Sequence, residues 1–262
     1  MKGNTERDAR RRAVRAVKET ISHQKDLLIY EHKDLDQHAP IQVLPMPLTS
    51  DGDPKFKSEF FDPFRKPLPD PDEDIQFCPA SPKEPDDAMS EGLVVGNYFK
   101  SYIWDGIYRG KADKHNNPMQ PIDFPRCSLW EFEFEDSIDW RSGGIADSPD
   151  GPWIKCIFYD SVNPNDHQIT RGEILCICRI MTTCLSRQAY SAHYIIPVLL
   201  LSFVGPRHAR ILLAHHDGTN LVIRQSDRFA LWEKDIPKLK VLLRWWCSSG
   251  IGDTGTTKAV SE

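Results

Sequence analysis

The side chains best suited to touching a ligand gather late in the chain. Arg207, His208, Arg210, Arg224, Arg228 and Lys234 surround the last hairpin and helix, with Trp232, Trp245 and Trp246 close by in sequence. Cations pair with phosphates and indole rings stack on bases, so the set has the ingredients of a nucleic-acid surface. The plainer alternative is that the tryptophans are core and the arginines solubilise a hairpin. Charge favours it, because residues 93–262 carry no net charge and nucleic-acid-coating domains are basic. A second cluster, Arg10, Arg11, Arg12, Arg15 and Lys18, is either an import signal or anion-binding patch, or the solvated face of a helix.

Nucleophiles and metal ligands are sparser. Cys156 and Ser202 come nearest to a nucleophile, and neither lies in a G-x-S-x-G or Cys-Gly context. His215 and His216 are adjacent on a strand, so they point to opposite faces and do not share a metal. His193 and His208 flank a strand with no carboxylate at a telling distance. There is no G-x-G-x-x-G and no P-loop, and GDTGTT at 252–257 matches a phosphate loop in composition only. The expectation is no cofactor and no bound nucleotide. Seven cysteines, an odd number without a CxxC pair, imply a reducing compartment and no disulfide framework. Three of them, Cys176, Cys178 and Cys184, sit in an apolar helical run, where a thiol acts as a small hydrophobe.

Charge divides the chain of 262 residues into three parts: residues 1–33 carry a net +4, residues 34–92 a net −9 and the remainder zero. Residues 1–33 read as a basic amphipathic helix, with Val14, Val17, Ile21 and Leu28 near one face. Eleven of the twenty prolines lie between Pro40 and Pro85. Residues 34–92 therefore read as an acidic, disordered, Pro-rich linker, because proline removes backbone donors and acid resists burial. One apolar island interrupts it: Phe56, Phe60, Phe61 and Phe64 are costly to leave in water and are expected to dock on the body. The charged N-terminus has no secretory pattern, and Tyr194–Val204 is too short to span a bilayer. The localisation expected is intracellular, cytoplasmic or nuclear.

The body, residues 93–250, alternates strands and helices. LVVGNYFKSYIWDGIYRG reads as a strand pair or a helix, with mixed structure preferred, and SLWEFEFED (128–136) as a half-buried strand with Glu131, Glu133 and Glu135 on its wet face. DWRSGGIADSPDGP reads as a loop and WIKCIFYDSV (153–162) as a strand. Thr170 with Glu173 three residues on has the capping-box spacing and opens a helix running to about Ala189. HYIIPVLLLSFV (193–204) reads as a buried strand, ARILLAHHDGTNLVIRQS as a hairpin turning at Asp217-Gly218, and LWEKDIPKLKVLLRWWCSS as a helix with Pro237 in its first turn. Residues 251–262 read as a flexible tail. The fold class is α/β: a central mixed β-sheet flanked by helices, in the order β-β-α-β-β-β-α, after an N-terminal helix.

This strand-strand-helix-strand order resembles the core of the PD-(D/E)xK, restriction-endonuclease-like superfamily. Residues 170–226 also resemble the region preceding fungal-type protein kinase domains. The residues that carry this are Arg171-Gly172-Glu173 at a helix start, Arg187-Gln188 at its end, the strand Val198–Val204, and Ala209-Arg210-Ile211 before a short turn. No kinase domain accompanies them, since the Gly-rich loop, His-Arg-Asp and Asp-Phe-Gly triplets are missing. The first resemblance implies a site of two acids and a lysine on Mg²⁺, the acids holding the metal and the lysine orienting water. Its lysine would be Lys155, its first acid Glu133, Asp136 or Asp139, and its migrated second acid Glu173. The acid expected two residues before the lysine is Trp153, which breaks the motif. The preferred reading is a non-catalytic interaction module on a nuclease-like fold, with a protein or nucleic-acid partner and no membrane. Partner contacts would come from Arg10, Arg11, Arg12, Arg207, Arg210 and Arg224. A divergent Mg²⁺-dependent nuclease and an accessory protein of a fungal gene cluster are the alternatives.

Overall fold

A computed structural model of the chain describes residues 2–71, 73–78, 88–103, 120–121, 140–148 and 150–255. In chain order the N-terminal part holds helix α1 (Lys2–His23) and strands β1 (Ile29–Glu31), β2 (Ile41–Pro45) and β3 (Phe61–Asp62). Helix α2 (Ala88–Ile103) follows, then β4 (Gln120–Pro121), β5 (Trp140–Ser148), β6 (Gly151–Asp160) and β7 (Gln168–Thr170). Helix α3 (Arg171–Cys184) leads to β8 (Val198–Val204), β9 (His208–His216), β10 (Leu221–Gln225) and β11 (Phe229–Ala230). Helix α4 (Ile236–Trp246) and β12 (Ser249–Gly250) close the described chain.

The central sheet is mixed and runs β2-β10-β9-β8-β6-β5-β4, with β11 pairing beside β10 on β9. Its middle is the parallel pair β6 and β8, joined through α3, with Ile154 opposite Val198 and Asp160 opposite Val204. A parallel pair cannot be joined by a tight turn, and the α3 crossover answers that constraint. All seven residues of β8 are buried, as are the last seven of β6, because helices cover both faces of the sheet. Ile154, Cys156 and Phe158 face α3 and α1. Ile157 and Tyr159 face α2 and α4.

The local signals hold where their chemistry is local. Thr170 caps α3 in a complete capping box, Asp235 caps α4 with proline in its first turn, and Asp217 closes the hairpin by accepting from the Thr219 and Asn220 amides. Residues 93–103 are helix rather than mixed structure, and Gly96 has a packing role there. A Cβ at position 96 would stand 2.2 Å from the Tyr159 ring, and one at Gly143 would stand 2.1 Å from the same ring. The two glycines clamp Tyr159 between α2 and β5. Residues 140–148, expected as a loop, form β5 with a register shift between Ser142 and Gly144, because a bulge tolerates glycine that a regular strand does not. Helix α3 ends at Cys184, short of Ala189, and β8 begins after Pro197, whose carbonyl accepts from the Ile154 amide at 3.0 Å. The expected strand at 128–136 lies outside the described residues.

Two expectations about the first 92 residues need correcting. The stretch read as a linker supplies β2, which pairs in parallel with β10 as an edge of the sheet. Its phenylalanines dock in cis: Phe61 is buried, and Phe56, Phe60 and Phe64 pack against the α4 side of the core. Helix α1 ends at His23 and leaves Leu28 exposed ahead of β1, although its apolar face packs antiparallel to α3 as expected, with Val14, Val17 and Ile21 fully buried. The two helices cap each other. Arg7 donates to the carbonyls of Leu185 at 2.8 Å and Arg187 at 2.8 Å beyond the end of α3. Arg171, at the start of α3, donates to those of Ile21 at 3.2 Å and Ser22 at 2.9 Å at the end of α1. Helix ends leave carbonyls without partners, and arginines satisfy them here. Replacing Arg7 by Met keeps the aliphatic stem and removes the donors. We expect a loss of about 2 kcal/mol in equilibrium urea unfolding, the scale for hydrogen bonds from a charged group.

Candidate functional site

Lys155 and Glu173 would have to converge for a metal site, and the sheet separates them. Lys155 is fully buried on the α4 side of β6, and its Nζ donates to the carbonyls of Trp246 at 2.5 Å and Ser248 at 2.6 Å. Burial lowers its amine to about 7, and a neutral amine has two N–H donors for two acceptors. Trp153, at the position where the motif needs an acid, works beside it. Its Nε1 donates to the Ile251 carbonyl at 2.9 Å, and its ring fills the space a side chain at position 250 would occupy. The pair therefore grips the chain that leaves α4, through three carbonyls. Glu133, Asp136 and Asp139, the proposed first acids, lie outside the described residues. Among the described residues no three His, Cys, Asp or Glu side chains gather as a metal site.

Glu173 lies on the opposite face, in the polar centre of the molecule. Its Oε1 accepts from Arg210 Nε at 2.8 Å, and its Oε2 accepts from Arg210 Nη2 and from the Thr170 amide at 2.9 Å. Both partners are fully buried. Arg210 Nη1 continues to the Gln168 carbonyl at 2.8 Å. Thr170 Oγ1 donates to Asp160 Oδ2 at 2.6 Å while accepting from the Glu173 amide at 3.1 Å. Asp160 ends β6 against the first turn of α3, where a Cβ at Gly172 would stand 2.7 Å from its Oδ2 and 2.8 Å from the Trp140 ring. Burial raises the Asp160 carboxyl to about 7 against the hydrogen bonds from Thr170 and the Val162 amide. Two short motifs of the sequence thus meet: the Arg-Gly-Glu start of α3 and the Ala-Arg-Ile of β9 are joined by one bidentate pair. Sequence reasoning missed Asp160 and Thr170 as members of this network; the only signal was an acid ending an otherwise apolar strand.

The remaining nominated residues do not converge. Arg10 is buried on the opposite side of α1 from the solvent, donating to the His216 and Asp217 carbonyls and lying over the Tyr194 ring at 4.9 Å. Arg11 pairs with Asp8 at 3.3 Å, and Arg12 is exposed. Arg207 is buried against Glu91 of α2 and donates to the Cys78 carbonyl at 2.7 Å. Arg224 sits over the Phe56 ring at 4.8 Å, and Arg228 pairs with Asp166 at 3.2 Å. Trp245 and Trp246 are core, while Trp232 is 44% exposed. Cys156 and Ser202 have no exposed surface. Cys156 Sγ stands 4.0 Å from Cys176 Sγ, and burial pushes the Cys176 thiol well up, which makes it a poor nucleophile. Among the described residues no helix is long and apolar enough to cross a membrane. No protein-family model, curated protein or solved structure matches the chain.

The two faces titrate in opposite senses. Asp160 keeps its proton in the fold and loses it on unfolding, so its contribution is complete below the ordinary carboxylate pKa and is lost as pH rises through about 7. Lys155, depressed to about 7, contributes fully above the ordinary lysine value and loses that as pH falls through about 7. In urea unfolding compared with the variants that follow, Asp160 should cost the chain stability as pH rises from 4 to 7 and Lys155 should add it from 7 to 10, each change at most about 4 kcal/mol. Asp160→Asn should flatten the acidic limb and Lys155→Met the alkaline one. Glu173→Ala should cost about 3–5 kcal/mol by leaving Arg210 buried and unpaired, and adding Arg210→Met should recover part of that loss.

Proposed function

We propose that the chain is a non-catalytic interaction module on a nuclease-like α/β framework. One observation carries this reading: Lys155, the lysine that metal-assisted phosphodiester cleavage would need, is buried on two backbone carbonyls. A lysine that activates water must reach the scissile phosphate, and this one reaches only the chain after α4. Glu173 supports the same reading, because its carboxylate oxygens serve a helix cap and Arg210. The order α2-β4-β5-β6-β7-α3-β8 and the parallel β6–β8 crossover support the framework, and fold by itself carries no activity. The partner is a protein rather than a nucleic acid, since five of the six arginines nominated for phosphates already hold carboxylates, carbonyls or a ring within the fold.

The test is incubation of the full chain with single- and double-stranded DNA and RNA, with Mg²⁺ or Mn²⁺. We expect no cleavage above the blank for the unaltered protein or for Lys155→Met. Metal-dependent cleavage that disappears in Lys155→Met would overturn the reading.

A further inference from the structure

From Gly52 to Cys78 the chain crosses the α2–α4 side of the body with almost no secondary structure of its own, β3 being two residues long. What holds it is unusual in kind. Trp245 Nε1 of α4 donates to the Gly52 carbonyl at 3.0 Å, and Arg244 Nη1 donates to the Phe64 carbonyl at 2.5 Å. Tyr102 Oη of α2 donates to the Pro69 carbonyl, and Arg207 Nη1 to that of Cys78 at 2.7 Å. Lys240 adds an ion pair to Asp70 at 2.5 Å. Between these grips Phe61 is buried within the core, and Phe56, Phe60, Phe64, Leu68, Ile75 and Phe77 pack partly buried on it.

The chemistry is matched. Residues 52–78 contain five prolines and are acidic. Proline keeps its carbonyl and has no N–H, so such a chain offers acceptors in excess of donors. The body meets it with side chains that donate: indole, guanidinium, phenol and ammonium. Contacts to main-chain carbonyls read chain shape rather than residue identity, and the aromatic anchors supply selectivity, as in other grooves for extended peptides. A segment integral to a core would instead be fastened by backbone ladders. Among the described residues, apart from β3 with β12, the main-chain bonds from this segment to the body are Phe64 N to Arg244 O at 3.1 Å and Ile251 N to Phe60 O at 3.0 Å.

We propose that the α2–α4 face is a groove for an extended, acidic, proline-rich peptide with phenylalanine anchors, and that residues 52–78 occupy it in cis. The partner is a protein segment of the same chemistry that exchanges with this strap. The proposal rests on reading the chain as an interaction module and names what that module binds. Tethering gives the strap an effective concentration in the millimolar range, so it masks the groove until displaced.

The test uses the full chain and a fluorescein-labelled synthetic peptide of residues 52–78, with serine at position 78, followed by anisotropy. The unaltered protein should bind weakly, with Kd above about 100 µM, because the strap competes. Phe64→Ala with Asp70→Ala weakens the strap without touching the groove and should tighten binding at least ten-fold. Adding Tyr102→Phe and Arg244→Gln on the groove side should reverse the gain. A strap-weakened protein that stays folded by circular dichroism yet binds no tighter overturns the proposal, as does tight binding indifferent to Tyr102 and Arg244. Should the strap variants unfold, hydrogen exchange on the unaltered protein decides. The bonded amide of Phe64 should exchange at least 100-fold faster than those of β8, through local opening; equal protection would mean the strap is core and would overturn the proposal. The cleavage assay and the peptide titration report separately, so either reading can fail alone.

Discussion

A carbonyl removed from water must find a donor, and in this protein the donors for irregular backbone are side chains. Arg7 and Arg171 close the ends of α3 and α1. Arg10 holds the hairpin at His216 and Asp217, Lys155 and Trp153 hold the exit from α4, and Arg244, Trp245, Tyr102 and Arg207 hold the strap. A sheet satisfies its own backbone, so its regular part needs no such help. The segments around it do, and long cationic or aromatic side chains reach them without themselves presenting acceptors that would need partners. Most of the polar residues that look chemically available in the sequence are taken up this way.

Two buried charges on opposite faces of β6 illustrate the consequence. A charge in the interior is tolerated when its hydrogen-bonding capacity is filled. Arg210 and Glu173 achieve this as a bidentate pair extended by the Thr170 amide and the Gln168 carbonyl. Lys155 donates to two carbonyls, and burial lowers its amine to about 7. Asp160, beside the pair, accepts from the Thr170 hydroxyl at 2.6 Å and the Val162 amide at 3.0 Å, while burial raises its carboxyl to about 7. In each arrangement the polar groups are turned inward onto other parts of the chain.

Features encoded by neighbours in sequence were legible, and features encoded by distant backbone were not. The Thr170–Glu173 cap, the Asp217-Gly218 turn and Pro237 in α4 are each closed within a few residues, and each stands where the residue types imply. Strand β2, IQVLP between prolines, has its reason for being a strand in β10, far along the chain. Strand β5 reads as a loop because Gly143 and Gly144 dominate its middle, yet Gly143 is there to admit the Tyr159 ring. Lys155 stood out only through the resemblance that assigned it a metal-site role. Its partners are backbone carbonyls after α4, which have no signature in the alphabet of side chains, so the residue was visible and its role was not.

The same asymmetry explains why the lysine position resembled a catalytic one. In a metal site the residue two before the lysine supplies an oxygen ligand, and alternation along a strand puts both on one face. Trp153 and Lys155 keep that spacing and that shared face. With an acid at the first position the face would present an acceptor and a cation to a bound ion. With tryptophan it presents two donors, and donors attract carbonyls. The C-terminal segment supplies those carbonyls at Trp246, Ser248 and Ile251 and fills the face itself. Two donors on one face suit it to holding backbone carbonyls, and Tyr102 of α2 with Arg244 and Trp245 of α4 hold other carbonyls by the same chemistry.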